Sequence, residues 1–394
     1  MTTLPALRSK LLPGGQDRLH HIGHARQAVL YNKGRQAAAV PGVDGWIEQS
    51  WLRCLASGHR PEHAPTFNRI AAPELRHTLE ANRLLVQAAR PVLGKLGRAI
   101  ADTRYFAILT NAAGVVVDVD GAIDRSNRHA DLITRIGTDL SETRLATTAI
   151  SAALNELQPV WLHRGEHFFE ANAIYSCAGA PLFGPDGACV GMLDLTGIEA
   201  LERPELKHLV AQSARSIENA LTLSRPHALL LRLNWPGHAL GDEADGLVGM
   251  DGDGFVVAAN RTARQMLPQL AQASGILLHC SDLFAVAFET LFDTARRQCS
   301  SRGNMYGSYA SAVEVPLWTG LRLNALPLLA GQSPLPARQP LSGQTALQQP
   351  LKDVETALIH KAVQDARGNV MQAARALGIS RATVYRRLGS AVKR

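Results

Sequence analysis

Residues 177–196 read CAGAPLFGPDGACVGMLDLT, and this stretch decides the fold class of the larger part of the chain. Two apolar runs, at 177–183 and 188–196, flank the sequence GPDG at 184–187. Gly, Pro and Asp are the residues that tight turns favour, so the pattern is typical of a β-hairpin. We therefore expect an antiparallel sheet whose central part is this hairpin.

Further strands and two helices surround the predicted hairpin. Short apolar runs predict strands at 106–110, 115–118 and 159–163. A helix is predicted from Ser141 to Leu154, and an amphipathic helix at 205–223 closes the unit. The apolar stripe of that last helix consists of Leu206, Leu209, Val210, Ser213, Ile217 and Leu221. This order of elements predicts a mixed α+β domain over residues 101–224.

The rest of the chain divides into four further segments. Residues 1–100 form a predicted helical N-terminal segment, in which the stripe Leu75, Leu79, Leu84 and Leu85 favours one helix from about 73 to 100. Residues 225–330 repeat the sheet pattern on a smaller scale, with strands expected near 247–250, 255–258, 311–318 and 321–328. Residues 331–350 are rich in Pro, Gly, Ser and Gln and are predicted to be a linker, about 25 Å across if flexible. Residues 351–394 form the last domain.

Charge and cysteine usage narrow the class of protein. The chain has 394 residues and a formal charge of +7, and residues 350–394 carry nine Lys or Arg against three acidic residues. Such a local excess is typical of a nucleic-acid-binding segment, although a solvated basic tail has the same charge. The five cysteines form no CxxC pair, and no signal peptide or apolar run of membrane-spanning length is visible. We expect a cytoplasmic, reduced protein that reaches the nucleoid through DNA binding.

The basic segment has the pattern of three short helices. Apolar residues from Val354 to Ala366 predict the first helix, the pair at 368–369 ends it, and Gly378 precedes a third helix capped by Ser380. Val384 and Leu388 would pack inward. The residues left to contact double-stranded operator DNA are Ser380, Arg381, Thr383, Arg386 and Arg387. A small helical oligomerisation domain is the alternative.

This segment resembles the Fis-type helix-turn-helix through GNV at 368–370, AAR at 373–375, LGISR at 377–381 and TVYRRL at 383–388. The resemblance continues upstream, in the sequence SWLRC at 50–54 and in a segment over about 105–222. Those parts are similar to activators of the acetoin-catabolism type, with a GAF-like sensor. Residues 245–330 are similar to a PAS domain through GFVVAANRTA at 254–263. The implied fold class is α+β: GAF-like and PAS-like antiparallel-sheet sensor domains followed by an all-α helix-turn-helix domain.

A GAF-like domain implies a pocket for a small-molecule effector. The residues that the resemblance points to are Glu166, His167, Phe168, Cys177 and Asp194. The sequence ATTAISA at 146–152 replaces the family's usual Gly-Thr-Asn-Ala-Ile-Gly-Thr beside this pocket, so the identity of the ligand does not carry over.

Several of these residues have a second interpretation. The pair Glu166–His167 could act as acid and base, Cys177 could be a redox sensor or a buried strand cysteine, and Asp194 could be structural or face the pocket. His20, His21 and His24 could bind metal, but no acidic or cysteine ligand accompanies them. We predict no catalytic residue, no metal and no cofactor.

Activators of this type normally carry an ATPase module between sensor and DNA-binding domain, and its phosphate loop reads G-x-x-x-x-G-K-[S/T]. Here the nearest candidate is Gly94-Lys95, but Leu96 follows it and Ala89 stands in the place of the first glycine. We therefore expect a ligand-responsive regulator without its own ATPase. It would act as a homodimer on half-sites one DNA turn apart, with an RNA polymerase holoenzyme as a further partner and no contact with a membrane. The alternatives are an architectural DNA-binding protein with vestigial sensor domains, and an enzyme that uses the GAF-like pocket.

Overall fold

The computed structural model describes residues 15–31, 42–272, 277–301 and 312–331, together with Val370, Met371 and Ala374. The chain divides into a unit over 1–332 and a unit over 333–394. The predicted DNA-contacting residues, from Ser380 to Arg387, lie outside the described residues. The first unit contains all the elements discussed below.

The N-terminal segment is helical. Its helices are α1 (Gly15–Arg26), α2 (Gly45–Ala56), α3 (Ala72–Ala81) and α4 (Arg83–Ala99). The single helix expected over 73–100 is two helices, because the backbone of Asn82 leaves the helical conformation with φ −100° and ψ 11°. The side-chain amide of Asn82 donates to the carbonyl of Thr78 at 2.8 Å and so satisfies one of the last carbonyls of α3.

The predicted hairpin lies in the first of two antiparallel sheets among the described residues. The strands are β1 (Tyr105–Asn111), β2 (Val116–Gly121), β3 (Val160–His163), β4 (Tyr175–Phe183) and β5 (Cys189–Ile198), in the order β2-β1-β5-β4-β3. In the β4–β5 ladder Cys177 faces Thr196 across the strands and Gly179 faces Asp194. This register places the side chains of Cys177, Asp194 and Thr196 on one face of the sheet.

Helices cover both faces of this sheet. One face packs on α4 and on α8 (Leu206–Leu223), whose buried stripe includes Val210, Ile217 and Leu221. The opposite face packs on α5 (Arg128–Ile133), α6 (Glu142–Leu145) and α7 (Ala149–Glu156). The helix expected over 141–154 is interrupted at Ala146, where φ is +53°, and Thr148 then caps α7 by accepting from the amide of Ser151 at 3.2 Å.

The second sheet has five strands in the described residues. They are β6 (Leu229–Asn234), β7 (Gly246–Met250), β8 (Val256–Ala259), β9 (Val313–Pro316) and β10 (Arg322–Leu329), in the order β8-β7-β6-β10-β9. The central strand, β6, is the one that the sequence did not predict. The helices of this part are α9 (Arg261–Met266), α10 (Gln269–Gln272), α11 (Cys280–Leu283) and α12 (Phe288–Ser301). No helix in the described part of the chain is both long and apolar enough to cross a membrane.

Candidate ligand-binding site

A small cavity lies between the first sheet and the helices α5 to α7. Its volume is about 30 Å³. Most of its wall is apolar, from residues such as Ile108, Ile133, Leu140 and Ile150. Since one water molecule needs about 10–15 Å³ of such space, the cavity has room for about two or three water molecules. An organic ligand would have to enlarge it.

The polar part of the wall comes mainly from two places, in addition to Thr148 at the start of α7 and Tyr175 at the start of β4. The sheet contributes Cys177, Asp194 and Thr196, and the loop between β3 and β4 contributes His167 and Asn172. Four of these side chains are less than 4 % exposed to solvent, and Cys177 is 6 % exposed. Polar atoms in such a place require partners, because an unpaired buried polar atom costs about 1–3 kcal/mol.

His167 presents an unpaired nitrogen atom in this buried setting. Its Nδ1 lies 2.9 Å from the carbonyl oxygen of Arg164, so Nδ1 carries the proton and donates it. The neutral ring then has a bare Nε2, which is buried and has no hydrogen-bond partner. Burial lowers the pKa of His167 to about 4, so the ring is neutral at physiological pH. His167 therefore offers an acceptor to any group that donates.

Asp194 presents the second unpaired atom. Its Oδ2 accepts a short hydrogen bond from the hydroxyl of Thr196, two residues along the same face of β5. Its Oδ1 is buried and has no partner. Burial raises the pKa of Asp194 to about 7, so the carboxyl exchanges a proton near neutrality. In its protonated form it can donate to a ligand, and in its ionised form it can only accept.

Cys177 completes the polar row on the sheet. Its Sγ lies 3.5 Å from Oγ1 of Thr196, whose own proton goes to Asp194. Burial, followed by the charge of Asp194, raises the pKa of Cys177 well above its ordinary value. The thiol is therefore protonated and weakly nucleophilic, which favours the buried-strand interpretation of Cys177 over redox sensing.

Glu166 and Phe168 lie on the other side of the loop, away from the cavity. Oε1 of Glu166 accepts from Arg18 of α1 at 2.9 Å, and burial raises the pKa of Glu166 to about 7. Phe168 is fully buried in a cluster with Ile47 and Trp51 of α2. Of the five residues predicted for the pocket, His167, Cys177 and Asp194 are thus together at the cavity, whereas Glu166 and Phe168 contact the N-terminal helices.

Sequence reasoning missed four polar residues of the wall: Thr148, Asn172, Tyr175 and Thr196. Thr196 follows Asp194 by two residues, and in a strand that spacing places both side chains on one face, so this signal was available. Asn172 lies in a loop that contains the 3₁₀ turn Glu170–Ile174, and no periodicity there indicates which way a side chain points.

His20 and His24 of α1 contact each other, with 3.1 Å between their Nε2 atoms. Within the described ranges there is no group of three or more His, Cys, Asp or Glu that could hold a metal ion. Gly94 and Lys95, the nearest approach to a phosphate loop, lie inside helix α4. A helical backbone uses its amides in the helix ladder and cannot wrap them around a phosphate.

Two family profiles match the chain. Residues 350–389 match a profile described as bacterial regulatory protein, Fis family, and residues 24–219 match the N-terminal domain of MimR. With the similarities given next, these matches show that the chain is similar to bacterial transcriptional regulators both in its N-terminal part and in a Fis-type helix-turn-helix segment. The two antiparallel sheets with their covering helices confirm the α+β fold class for the described residues.

The named relatives are regulators of catabolic operons. The chain is 31 % identical over 290 residues to the acetoin catabolism regulatory protein of Cupriavidus necator, an alignment that covers 69 % of this chain and 41 % of that protein. It is 28 % identical over 275 residues to the propane 2-monooxygenase operon transcriptional activator MimR of Mycolicibacterium smegmatis, covering 67 % and 43 %. The chain thus spans about two fifths of the length of these two curated relatives.

Among solved structures, the Escherichia coli DhaR(N)–DhaL complex contains a chain similar to this one. The similarity covers 72 % of this chain and 99 % of that chain, with 14 % identity and a TM-score of 0.43.

Proposed function

We propose that this chain is a DNA-binding transcriptional regulator controlled by a small neutral organic molecule that carries a hydroxyl group. The observation that carries the proposal is the pair of buried, unpartnered atoms beside one cavity, Nε2 of His167 and Oδ1 of Asp194. A native structure retains such atoms where a ligand or ordered water completes their hydrogen bonds. The regulator class of the relatives gives the cavity a role as a sensor.

The two atoms define the chemistry of the ligand. A hydroxyl group donates to Nε2 of His167, and a carbonyl or second hydroxyl oxygen accepts from the protonated carboxyl of Asp194. A charged ligand is disfavoured because the remaining wall is apolar and would desolvate the charge. Acetoin, which the name of one relative contains, is a hydroxyketone with both required groups. Small hydroxyketones and diols are therefore the class to test first.

The test is binding to the full chain. Melting temperature and calorimetric affinity would be measured with acetoin, with small diols and with a carboxylic acid of the same carbon number. We expect the neutral hydroxyl compounds to raise the melting temperature and the acid to have no effect. His167→Ala should weaken binding at least about tenfold, since it removes one hydrogen bond in a dry site. The matched control His63→Ala changes a histidine that is exposed to solvent. Absence of binding by every hydroxyl compound would refute this class of ligand.

The Fis-type segment is the proposed DNA-binding element. We propose base and phosphate contacts from Ser380, Arg381, Thr383, Arg386 and Arg387, as a homodimer on two half-sites. An operator would be selected from a random-sequence DNA pool with the full chain. Arg381→Ala should then cost about 1–3 kcal/mol of binding free energy and relax the preference at one base pair. Arg387→Ala should weaken all sequences alike. Unchanged operator binding after removal of residues 350–394 would refute the assignment.

Regulation by this chain would not use an ATPase of its own. The interval between the two profile matches, residues 220–349, contains the second sheet, and the only Gly-Lys pair in the chain is the helical Gly94-Lys95. The protein would then act by occupying DNA, either blocking an RNA polymerase holoenzyme or recruiting it. An architectural protein with vestigial sensor domains would show the DNA binding without any effect of the ligand.

A further inference from the structure

The loop that holds His167 is bound on its outer side by an arginine from far upstream in the chain. Arg26, at the end of α1, donates from Nη1 to the carbonyl oxygens of Gly165 and His167 at 2.8 and 2.6 Å, and from Nη2 to that of Phe168 at 3.0 Å. One planar guanidinium thus fixes three carbonyl groups within four residues. Gly165 lies in the 3₁₀ turn Arg164–Glu166, whereas His167 and Phe168 follow it outside any helix or strand, so there Arg26 supplies order that secondary structure supplies elsewhere.

Neighbouring residues support the same arrangement. The indole Nε1 of Trp51 donates to the carbonyl of Glu166 at 2.9 Å, and the guanidinium of Arg26 lies 5.8 Å from the centre of the Trp51 ring. On the inner side, the amide of Phe168 donates to the carbonyl of Thr147 at 3.1 Å, just before α7. The loop is therefore held from both sides, and the ring of His167 faces the cavity.

We propose that Arg26 is the positioning residue of the ligand cavity. By binding the carbonyl groups of Gly165, His167 and Phe168, it holds His167 with the unprotonated Nε2 turned toward the ligand. The inference rests on the proposed sensor function, but the contacts of Arg26 with the loop are independent of any ligand. Arg26 does not line the cavity, so it acts on the ligand only through His167. Release of α1 from the loop would turn His167 away and open the wall at this side. The N-terminal helix is thereby part of the binding machinery.

The first test uses no ligand. Hydrogen–deuterium exchange at the amides of residues 163–174 would be compared in the full chain, in Arg26→Ala, in Arg26→Lys and in the control Arg76→Ala, an exposed arginine of α3. We expect exchange in this loop to accelerate at least about tenfold in Arg26→Ala, with exchange in β1 unchanged. Arg26→Lys keeps the charge but lacks the planar fork, so we expect only partial rescue.

The second readout is the tautomer of His167, observed in nitrogen NMR spectra of the full chain with labelled histidine and assigned by comparison with His167→Gln. The native spectrum should show one tautomer, with the proton on Nδ1. Arg26→Ala should give an averaged mixture of the two tautomers, and Arg76→Ala should match the native spectrum. A purely structural role of Arg26 would lower the melting temperature but leave the tautomer fixed in the folded protein.

The possible outcomes are distinct. Native exchange and a fixed tautomer in folded Arg26→Ala would overturn the proposal. If Arg26→Ala fails to fold, Arg26→Lys carries the same test, and native behaviour of that variant in both readouts would overturn it as well. With acetoin as the probe, at least tenfold weaker binding to Arg26→Lys is expected. Failure of acetoin to bind the native chain would refute the proposed ligand class and leave the exchange and tautomer results to decide the role of Arg26.

Discussion

Asn260 donates from its side-chain amide to Oδ1 of Asn219 at 2.7 Å, and this bond joins the first helix of the second sheet to the helix that covers the first. The same amide donates to the carbonyl of Asp245 at 2.9 Å, and the side-chain oxygen accepts from the amides of Leu247 and Ala263 at 2.9 and 2.8 Å. All four hydrogen bonds are buried. Asn260 is at once the N-cap of α9 and one of the connections between the two sheet-containing parts.

Replacement of Asn260 by alanine should therefore destabilise the unit strongly. Loss of the cap and of three further buried bonds is expected to lower the free energy of unfolding by about 2–4 kcal/mol. Chemical denaturation measures this loss. The control is Asn127→Ala, which removes the N-cap of α5 at the surface and should cost about 1 kcal/mol. Equal losses in both variants would show that the Asn219–Asn260 bond contributes little.

A second prediction concerns pH. The pKa of Asp194 is raised by burial from 3.8 to about 7, so the folded state holds this proton more tightly than the unfolded state. The stability contributed by the protonated carboxyl is complete below about pH 4 and is lost as the pH rises through 7. Asp194→Asn keeps the shape and removes the titration. Between pH 4.5 and 7.5 the native chain should lose about 2–4 kcal/mol relative to this variant.

Chemical denaturation at a series of pH values checks this prediction. Glu289→Gln, which removes an exposed carboxylate from α12, is the control for the loss of one charge. Parallel stability curves for the native chain and Asp194→Asn would show that the carboxyl of Asp194 is not held in a dry site. In that case its proposed hydrogen bond to a ligand carbonyl would also lose its basis.

The sheet side of the cavity could be predicted from the sequence, and the loop side could not. A turn sequence between two apolar runs fixes the β4–β5 hairpin, and the two-residue period then places Asp194 inward. Glu166, His167 and Phe168 are consecutive in a loop, where no period distinguishes inward from outward. Long-range contacts, among them those of Arg26 about 140 positions earlier, determine which of the three faces the cavity.

The missed central strand has a similar physical cause. The run LLLRLN at 229–234 is buried at every position: Leu229, Leu231 and Leu233 lie in the core of the second sheet, and on the other face Arg232 and Asn234 bond the loop at 239–245. A strand that is buried on both faces shows no alternation of apolar and polar residues. A short apolar run next to a helix is then easily taken for part of that helix. Arg232 adds to the difficulty, since its charge suggests the surface, whereas it pairs with the buried Asp245 at 2.8 Å.

Phe168→Ala should lower the stability of the fold without weakening ligand binding. Phe168 is fully buried beside Trp51 and Phe169 and does not contact the cavity, so its truncation should lower the free energy of unfolding by about 3–5 kcal/mol. Affinity for acetoin, measured at a temperature where the variant is folded, should change less than about threefold. His167→Ala should show the opposite profile, with a small change in stability and a large one in affinity. If folded Phe168→Ala no longer bound the ligand, Phe168 would have to be part of the binding site.

The last prediction is that this chain regulates transcription without hydrolysing ATP. Opening of a promoter held by the sigma-54 polymerase needs the ATPase module in activators of the acetoin-catabolism type, and here the sole Gly-Lys pair lies in the exposed turn of a helix that covers the first sheet. We expect purified protein to show no ATPase activity above background, and Lys95→Ala to leave operator binding unchanged. On a promoter of the ordinary sigma-70-type holoenzyme, the effect of the chain on transcript yield should be the same with ATP as with an ATP analogue that the polymerase uses but an ATPase cannot hydrolyse. ATP-dependent activation of the sigma-54 form by the purified chain alone would refute the prediction, because it would require a phosphate-binding loop that neither Gly94 nor Lys95 can form within a helix.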